Sequence, residues 1–140
     1  MVTIMKAQDI TVCGNKGLFR PIIYCNPTDE LAATAGSINI SLARQLLKHK
    51  ANRRSILLEK CLCQVLSEFP GEPIIKDIDV IFNPSYQVDI LKIMISAYKK
   101  KPFSMIWPGT YREGQLFYAE EGYPDYKVFK IEDYDVTCII

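Results

Sequence analysis

The carboxylates Asp77 and Asp79 stand two residues apart in "IIKDIDVIF", an apolar run that Asn83 and Pro84 close. Such a run reads as a strand holding Ile78, Val80, Ile81 and Phe82, with the two acids early in it or within it. Ligands of an open α/β sheet sit outside the carboxyl ends of its strands, where neighbouring loops converge. That edge would carry Asn26, Asn83, Pro84 and the turn Pro108-Gly109-Thr110, and one of the two acids would face the same crevice.

A second chemistry lies in "KHKANRR", residues 48–54, where Lys48, Lys50, Arg53 and Arg54 flank His49; Lys99, Lys100 and Lys101 form another cluster. Such cations can neutralise nucleic-acid phosphates. They also fall at or just after expected helix C-termini, where the helix dipole favours positive charge. The cysteines, at 13, 25, 61, 63 and 138, are odd in number and follow no secretory signal, so reduced thiols are expected. Cys61 and Cys63 project about 200° apart on a helix and cannot share a metal as a Cys-x-x-Cys pair does. With His49 as the sole histidine, no metal site is expected.

These residues need elements to position them. "RPIIYCNP" places an apolar strand, Ile22 to Cys25, ahead of Asn26 and Pro27, a helix-capping residue and a first-turn residue; "TDELAATA" should then be a short helix ended by Gly36. "SINIS" predicts a brief strand. Ser41 should cap a helix in which Leu42, Leu46 and Leu47 recur, and residues 55–67 a second one lined by Leu58, Cys61, Leu62, Val65 and Leu66. Asn83-Pro84 repeats the cap signal before a helix over 85–100, with Val88, Leu91, Ile95 and Tyr98 on one face, and "PFSMIW" supplies the next strand. Strand, helix and strand in about 30 residues imply a right-handed crossover and a parallel sheet. Beyond Gly109, "GQLFYAEE" and "YKVFKIED" flank the turn "GYPD", predicting an antiparallel β extension, and "VTCII" is a last β-like run. Trp107 ends a buried strand and is expected as a core or rim aromatic. Residues 1–19 form a short strand or an irregular arm.

The chain has 140 residues, 49% of them hydrophobic and 24% charged, with a formal net charge of +1. This suits one soluble domain, divided into an N-terminal arm (1–19), an α/β core (20–109) and a β extension (110–140). No run approaches the roughly 18 apolar residues of a membrane span, so a cytoplasmic protein without membrane contacts is expected.

"KDIDVIFNPSYQVDILKIM", then a strand ending in "WPG", then "LFYAEEGYPDYKVF" resembles the BrxF family, the small P-loop proteins of type 3 BREX, the bacterial and archaeal bacteriophage-exclusion systems; "SINISLARQLL" resembles the same family upstream. The similarity runs from roughly residue 38 to 135. It implies a P-loop-NTPase-like three-layer fold with a short parallel sheet, and a phage-defence accessory. Asp77 and Asp79 then resemble the acids of a Walker B strand, with Asn83 at the same edge, and ATP with magnesium is the cofactor if nucleotide binding is retained.

The departure is as informative. A phosphate loop needs G-x-x-x-x-G-K-[ST], whose backbone amides surround the phosphates while Lys and Ser/Thr serve the terminal phosphate and magnesium. No such string occurs: after "IIYC" the chain reads "NPTDELAATAGS", and "CGNKG" at 13–17 has the wrong spacing. The expectation is therefore a degenerate P-loop-like fold with no catalytic residues and no resident cofactor. It would act through other proteins of the defence system, by way of a C-terminal extension rich in tyrosines and acids. Two alternatives remain open: a nucleotide-binding subunit completed by a partner, and a small nucleic-acid-binding module using Lys48, Lys50, Arg53 and Arg54 on DNA. A homo-oligomer fits any of the three.

Overall fold

Strand β2 (Ile22–Tyr24) owes its place to a short apolar run, and Ile23 within it is wholly buried. The computed structural model describes residues 20–140 and the backbone of strand β1 (Thr3–Met5). Cys13 and the "CGNKG" stretch lie outside the described residues. After β2 come helix α1 (Asp29–Thr34), strand β3 (Gly36–Ser37), helix α2 (Asn39–Leu47), a 3-10 turn at Ala51–Arg53 and helix α3 (Arg54–Leu66). Strand β4 (Ile74–Lys76), helix α4 (Ile90–Lys100) and strand β5 (Ser104–Ile106) follow. The chain closes with β6 (Thr110–Arg112), β7 (Gln115–Tyr118), β8 (Lys127–Lys130) and β9 (Thr137–Ile139).

The result is an α/β fold with two sheets. The larger has six strands in the order β1-β9-β2-β5-β4-β3, every pair parallel; the smaller is an antiparallel meander, β6-β7-β8. Helix α3 packs on both α2 and α4. Right-handed crossovers put these three on one face of the sheet and α1 on the other, because the step from β2 to β3 runs opposite to those from β3 to β4 and β4 to β5. Ile23, Ile75, Met105 and Cys138, one from each central strand, are wholly buried and face helices whose inward residues include Leu42, Leu58, Leu62, Leu91 and Met94.

Several sequence expectations shift. The strand read over "IIKDIDVIF" stops at Lys76: Asp77 turns into the left-handed region at φ 58°, and Asp79–Phe82 form a 3-10 turn. Ile78, Ile81 and Phe82 are the residues that reach the core, a helical spacing hidden inside a run of β-branched residues. The helix expected over 85–100 is broken by Gln87 at φ 50°, and α4 starts only at Ile90, capped by the Asp89 carboxylate on Lys92 N at 3.3 Å. Its inward face is Ile90, Leu91, Met94 and Ala97, while Val88, Ile95 and Tyr98 pack at its margin.

The cap of α1 is Thr28, whose hydroxyl accepts from Leu31 N at 3.1 Å, in place of Asn26. "SINIS" contributes one strand residue, Ser37, before α2 begins at Asn39, because wholly buried Ile38 anchors the chain into the core there. Leu47, expected on the apolar face of α2, is exposed. "VTCII" leaves the antiparallel extension: β9 inserts between β1 and β2 of the parallel sheet. Helix α3, by contrast, buries the five residues its periodicity nominates.

Candidate functional site

The carboxyl edge of the parallel sheet is built where β2, β4 and β5 end. Leaving β2, the chain passes Cys25, whose amide donates to Ile139 O at 2.8 Å, and enters α1 after only four residues. A phosphate loop is twice that length and glycine-rich, so its amides can converge on one anion. Here Thr28 already occupies the Leu31 amide, and Asp29 and Glu30 bring two negative charges into the first turn of α1, which repel an anion approaching the helix N-terminus.

The neighbouring Lys76 points its Nζ at the Ala32 carbonyl, 2.7 Å away, so this cation completes the C-terminal end of α1. Asp77 follows directly and is exposed at the edge in its left-handed conformation, which Asp tolerates better than most residues. Asp79 accepts a hydrogen bond from the Tyr118 hydroxyl at 3.0 Å, and Asn83 Oδ1 accepts from Ser85 N and Ser85 Oγ at 3.0 and 2.8 Å. At this edge Asp77 is exposed, Asp79 serves the small sheet and Asn83 caps a 3-10 turn.

That small sheet is fastened to the edge by aromatic rings. Tyr118 stacks on Phe82 at 3.8 Å and 6°, and Trp107 meets Phe82 and Phe129 edge-on at 5.6 and 5.7 Å. The indole N–H of Trp107 donates to Phe117 O at 2.9 Å, so the one polar atom of a buried ring is satisfied. The expectation of a core aromatic holds. Tyr134 adds a second phenol-to-carboxylate bond, donating to Asp89 Oδ2 at 2.7 Å.

Burial, and then the hydrogen bond each makes to a carboxylate, pushes the Tyr118 and Tyr134 phenols well above the ordinary range; burial alone moves Tyr24 the same way, and burial followed by the negative charge of Glu72 moves Tyr98. With folded values above the unfolded one, these tyrosines contribute stability that is full below about pH 10 and lost as pH rises toward the folded values. Urea unfolding between about pH 9 and 11 should therefore show falling stability, with a shallower fall in Tyr118→Phe and Tyr134→Phe than in the wild type. An equal slope in all three would contradict the assignment.

The cations divide as well. Arg54 Nε donates to the carbonyls of Leu46 and His49 at 3.0 and 3.1 Å and so caps the end of α2, whereas Lys48, Lys50 and Arg53 are exposed. In the second cluster Lys100 pairs with Glu59 at 2.7 Å and Lys101 donates to the Phe69 carbonyl. Among the described residues, no three or more His, Cys, Asp or Glu side chains gather closely enough to hold a metal ion.

Sequence reasoning missed an open hollow of about 410 Å³ on the small sheet, lined in part by Thr110, Arg112, Phe117, Glu120 and Tyr126. The Arg112 guanidinium lies 4.9 Å from the centre of the Phe117 ring there. Beside it, the exposed turn Glu120-Glu121-Gly122-Tyr123 is held by backbone bonds from Tyr123 N to Glu120 O and from Tyr126 N to Tyr123 O, both 3.1 Å. Its signal in the sequence was the mixture of acids, Tyr, Pro and Gly. Comparison with protein-family models, curated proteins and solved structures returned no match, so the chain stands as an α/β protein defined by its own geometry.

Proposed function

We propose that this protein is a non-hydrolysing, P-loop-like accessory of a bacteriophage-exclusion system of the BREX type, acting by contact with larger partner proteins through its aromatic, acidic C-terminal region. The observation that carries the non-hydrolysing part is the connection after β2, four residues long and followed by Asp29 and Glu30 where a phosphate would need amides and a lysine. The strand order β9-β2-β5-β4-β3 supports the P-loop-like part. In it β2, from which a phosphate loop would spring, is central, and the Walker-B-like β4 stands one strand away across β5. The contact role is supported by the turn at 120–123, where Tyr123 is 60% exposed beside two exposed glutamates.

Two measurements bear on this reading. The genes beside this one should include a methyltransferase, a helicase-like protein and a phosphatase-like protein; a neighbourhood without them would count heavily against it. The co-encoded proteins should be retained by the immobilised chain, and retention should fall at least about tenfold when Glu120→Lys, Glu121→Lys and Tyr123→Ala are combined. Retention unchanged by that triple variant would remove the C-terminal turn from the account.

Exposed Asp77 favours one further reading, a nucleotide site completed by a partner, in which Asp77 orients magnesium-bound water on ATP. Calorimetry with ATP and magnesium in the presence of the co-encoded proteins separates the two. Absence of both binding and turnover would end the second.

A further inference from the structure

Although the chain is nearly neutral overall, its charge is strongly segregated. No carboxylate occurs between Glu30 and Glu59, a span that holds Arg44, Lys48, Lys50, Arg53 and Arg54. Residues 110–140 hold seven carboxylates (Glu113, Glu120, Glu121, Asp125, Glu132, Asp133, Asp135) against three cations (Arg112, Lys127, Lys130).

The fold turns the basic span into one kind of surface. On α2 the inward residues are Leu42 and Leu46, and the opposite stripe is Ile40, Arg44 and Leu47. The outward stripe of α3 is Ile56 and Lys60, and Arg53, at the N-cap just before the helix, is exposed beside it. Ile40 and Leu47 are each 67% exposed and Ile56 76% exposed, three of the five large apolar side chains most open to water among the described residues. Helices α2 and α3 pack side by side, which sets their outer stripes on neighbouring helices, and Lys48, just past the end of α2, lies within electrostatic reach of Cys61 on α3. Arg44, Lys48, Arg53 and Lys60 form no ion pair among the described residues. An outward face of aliphatics, with cations that form no ion pair among the described residues, favours an occupant that is both apolar and anionic; bare phosphates would leave Ile40, Leu47 and Ile56 in water.

The chain itself carries such an occupant. The exposed turn at 120–123 offers Glu120 and Glu121 around the ring of Tyr123, and an open hollow of about 300 Å³ between Ala119, Glu120, Tyr123 and Asp125 would receive a Lys or Arg side chain. Its hydrogen-bonded backbone keeps the ordering cost of docking low. Within one chain the two surfaces make no ion pair with each other.

We infer that the cationic, aliphatic face of α2 and α3 docks the acidic Tyr123 turn of a second copy of this chain, giving head-to-tail self-association. Such a contact joins different surfaces of the two copies, so it propagates into a ring if the rotation closes and into an open filament if it does not. The inference rests on the reading of the C-terminal turn as a contact surface and adds a second copy of the chain to the proteins that turn engages.

Sedimentation from about 10 μM to about 1 mM protein should show concentration-dependent assembly. The assembly should weaken at about 1 M salt, where screening shortens the Debye length to about 3 Å. Arg53→Glu with Lys60→Glu in one variant, and Glu120→Lys with Glu121→Lys in another, should each weaken assembly at least about tenfold while circular dichroism stays native. Mixing the two variants should restore it, because each reversed surface then meets its reversed complement. A wild-type chain that stays monomeric throughout overturns the inference. So does dissociation by the helix variant alone, which would mean the face pairs with itself, and so does saturable binding of duplex DNA to that face by a protein that remains monomeric. Loss of self-association with co-encoded partners still retained removes this inference alone; self-association without such retention removes the partner reading alone.

Discussion

Trp107→Ala should lower the unfolding free energy by about 3–5 kcal/mol, the range for truncating a large buried aromatic. Trp107 is 3% exposed, and its ring fills the space between Phe82, from the parallel-sheet side, and Phe129, from the meander. Truncation leaves a cavity at the junction of the two sheets and deprives Phe117 O of the indole donor. Urea unfolding is the measurement. A loss under about 1 kcal/mol would mean that the junction collapses around the gap and that the aromatic cluster does not hold the small sheet. Because the exposed turn at 120–123 sits on that sheet, the variant should also weaken partner retention even where the parallel sheet stays folded.

Gly109→Ala should cost at least about 3 kcal/mol, the upper end for forcing an atom into a packed site. A Cβ at this position would stand 1.8 Å from Phe117 O, the same atom that accepts the Trp107 indole proton, and 3.0 Å from Trp107 Nε1. The neighbour at fault is backbone, held by the pairing of Thr110 with Phe117, so it cannot swing aside as a side-chain end would. Gly114→Ala is the control: its φ of 78° strains an alanine, but nothing lies within 4 Å, and the cost should be about 1 kcal/mol. Equal losses for the two variants would show that backbone conformation, not close approach, is what demands glycine in the Trp-Pro-Gly turn.

Both predictions concern residues whose importance the sequence marks without explaining. Trp-Pro-Gly reads as a strand end and a turn, and the structure agrees. That its glycine must admit the backbone of β7, and that its tryptophan must join two sheets, depends on Phe117, Phe82 and Phe129, all outside the turn. The same holds for the carboxylates. Asp79 was legible as an acid at a sheet edge, but its partner Tyr118 lies 39 positions away, and Asp89, which the sequence offered only as a helical residue, caps α4 and holds Tyr134 from 45 positions away.

The sequence by itself determined what depends on local spacing and on residue type. The alternation of apolar runs with amphipathic segments specifies an α/β fold, and the spacing of Leu58, Cys61, Leu62, Val65 and Leu66 specifies the inward face of α3. The residues after "IIYC" exclude a phosphate loop, because no folding can supply the missing glycines and lysine from within that segment. Only the tertiary structure decided what depends on distant partners. It ended β4 at Lys76, since Ile78, Ile81 and Phe82 reach the core better from a 3-10 turn than from an extended strand. It also drew β9 out of the antiparallel extension to lie between β1 and β2, where Val136, Thr137 and Cys138 are wholly buried. A β-like run pairs with whichever edge lets it bury both faces, and that edge is not written in the run itself.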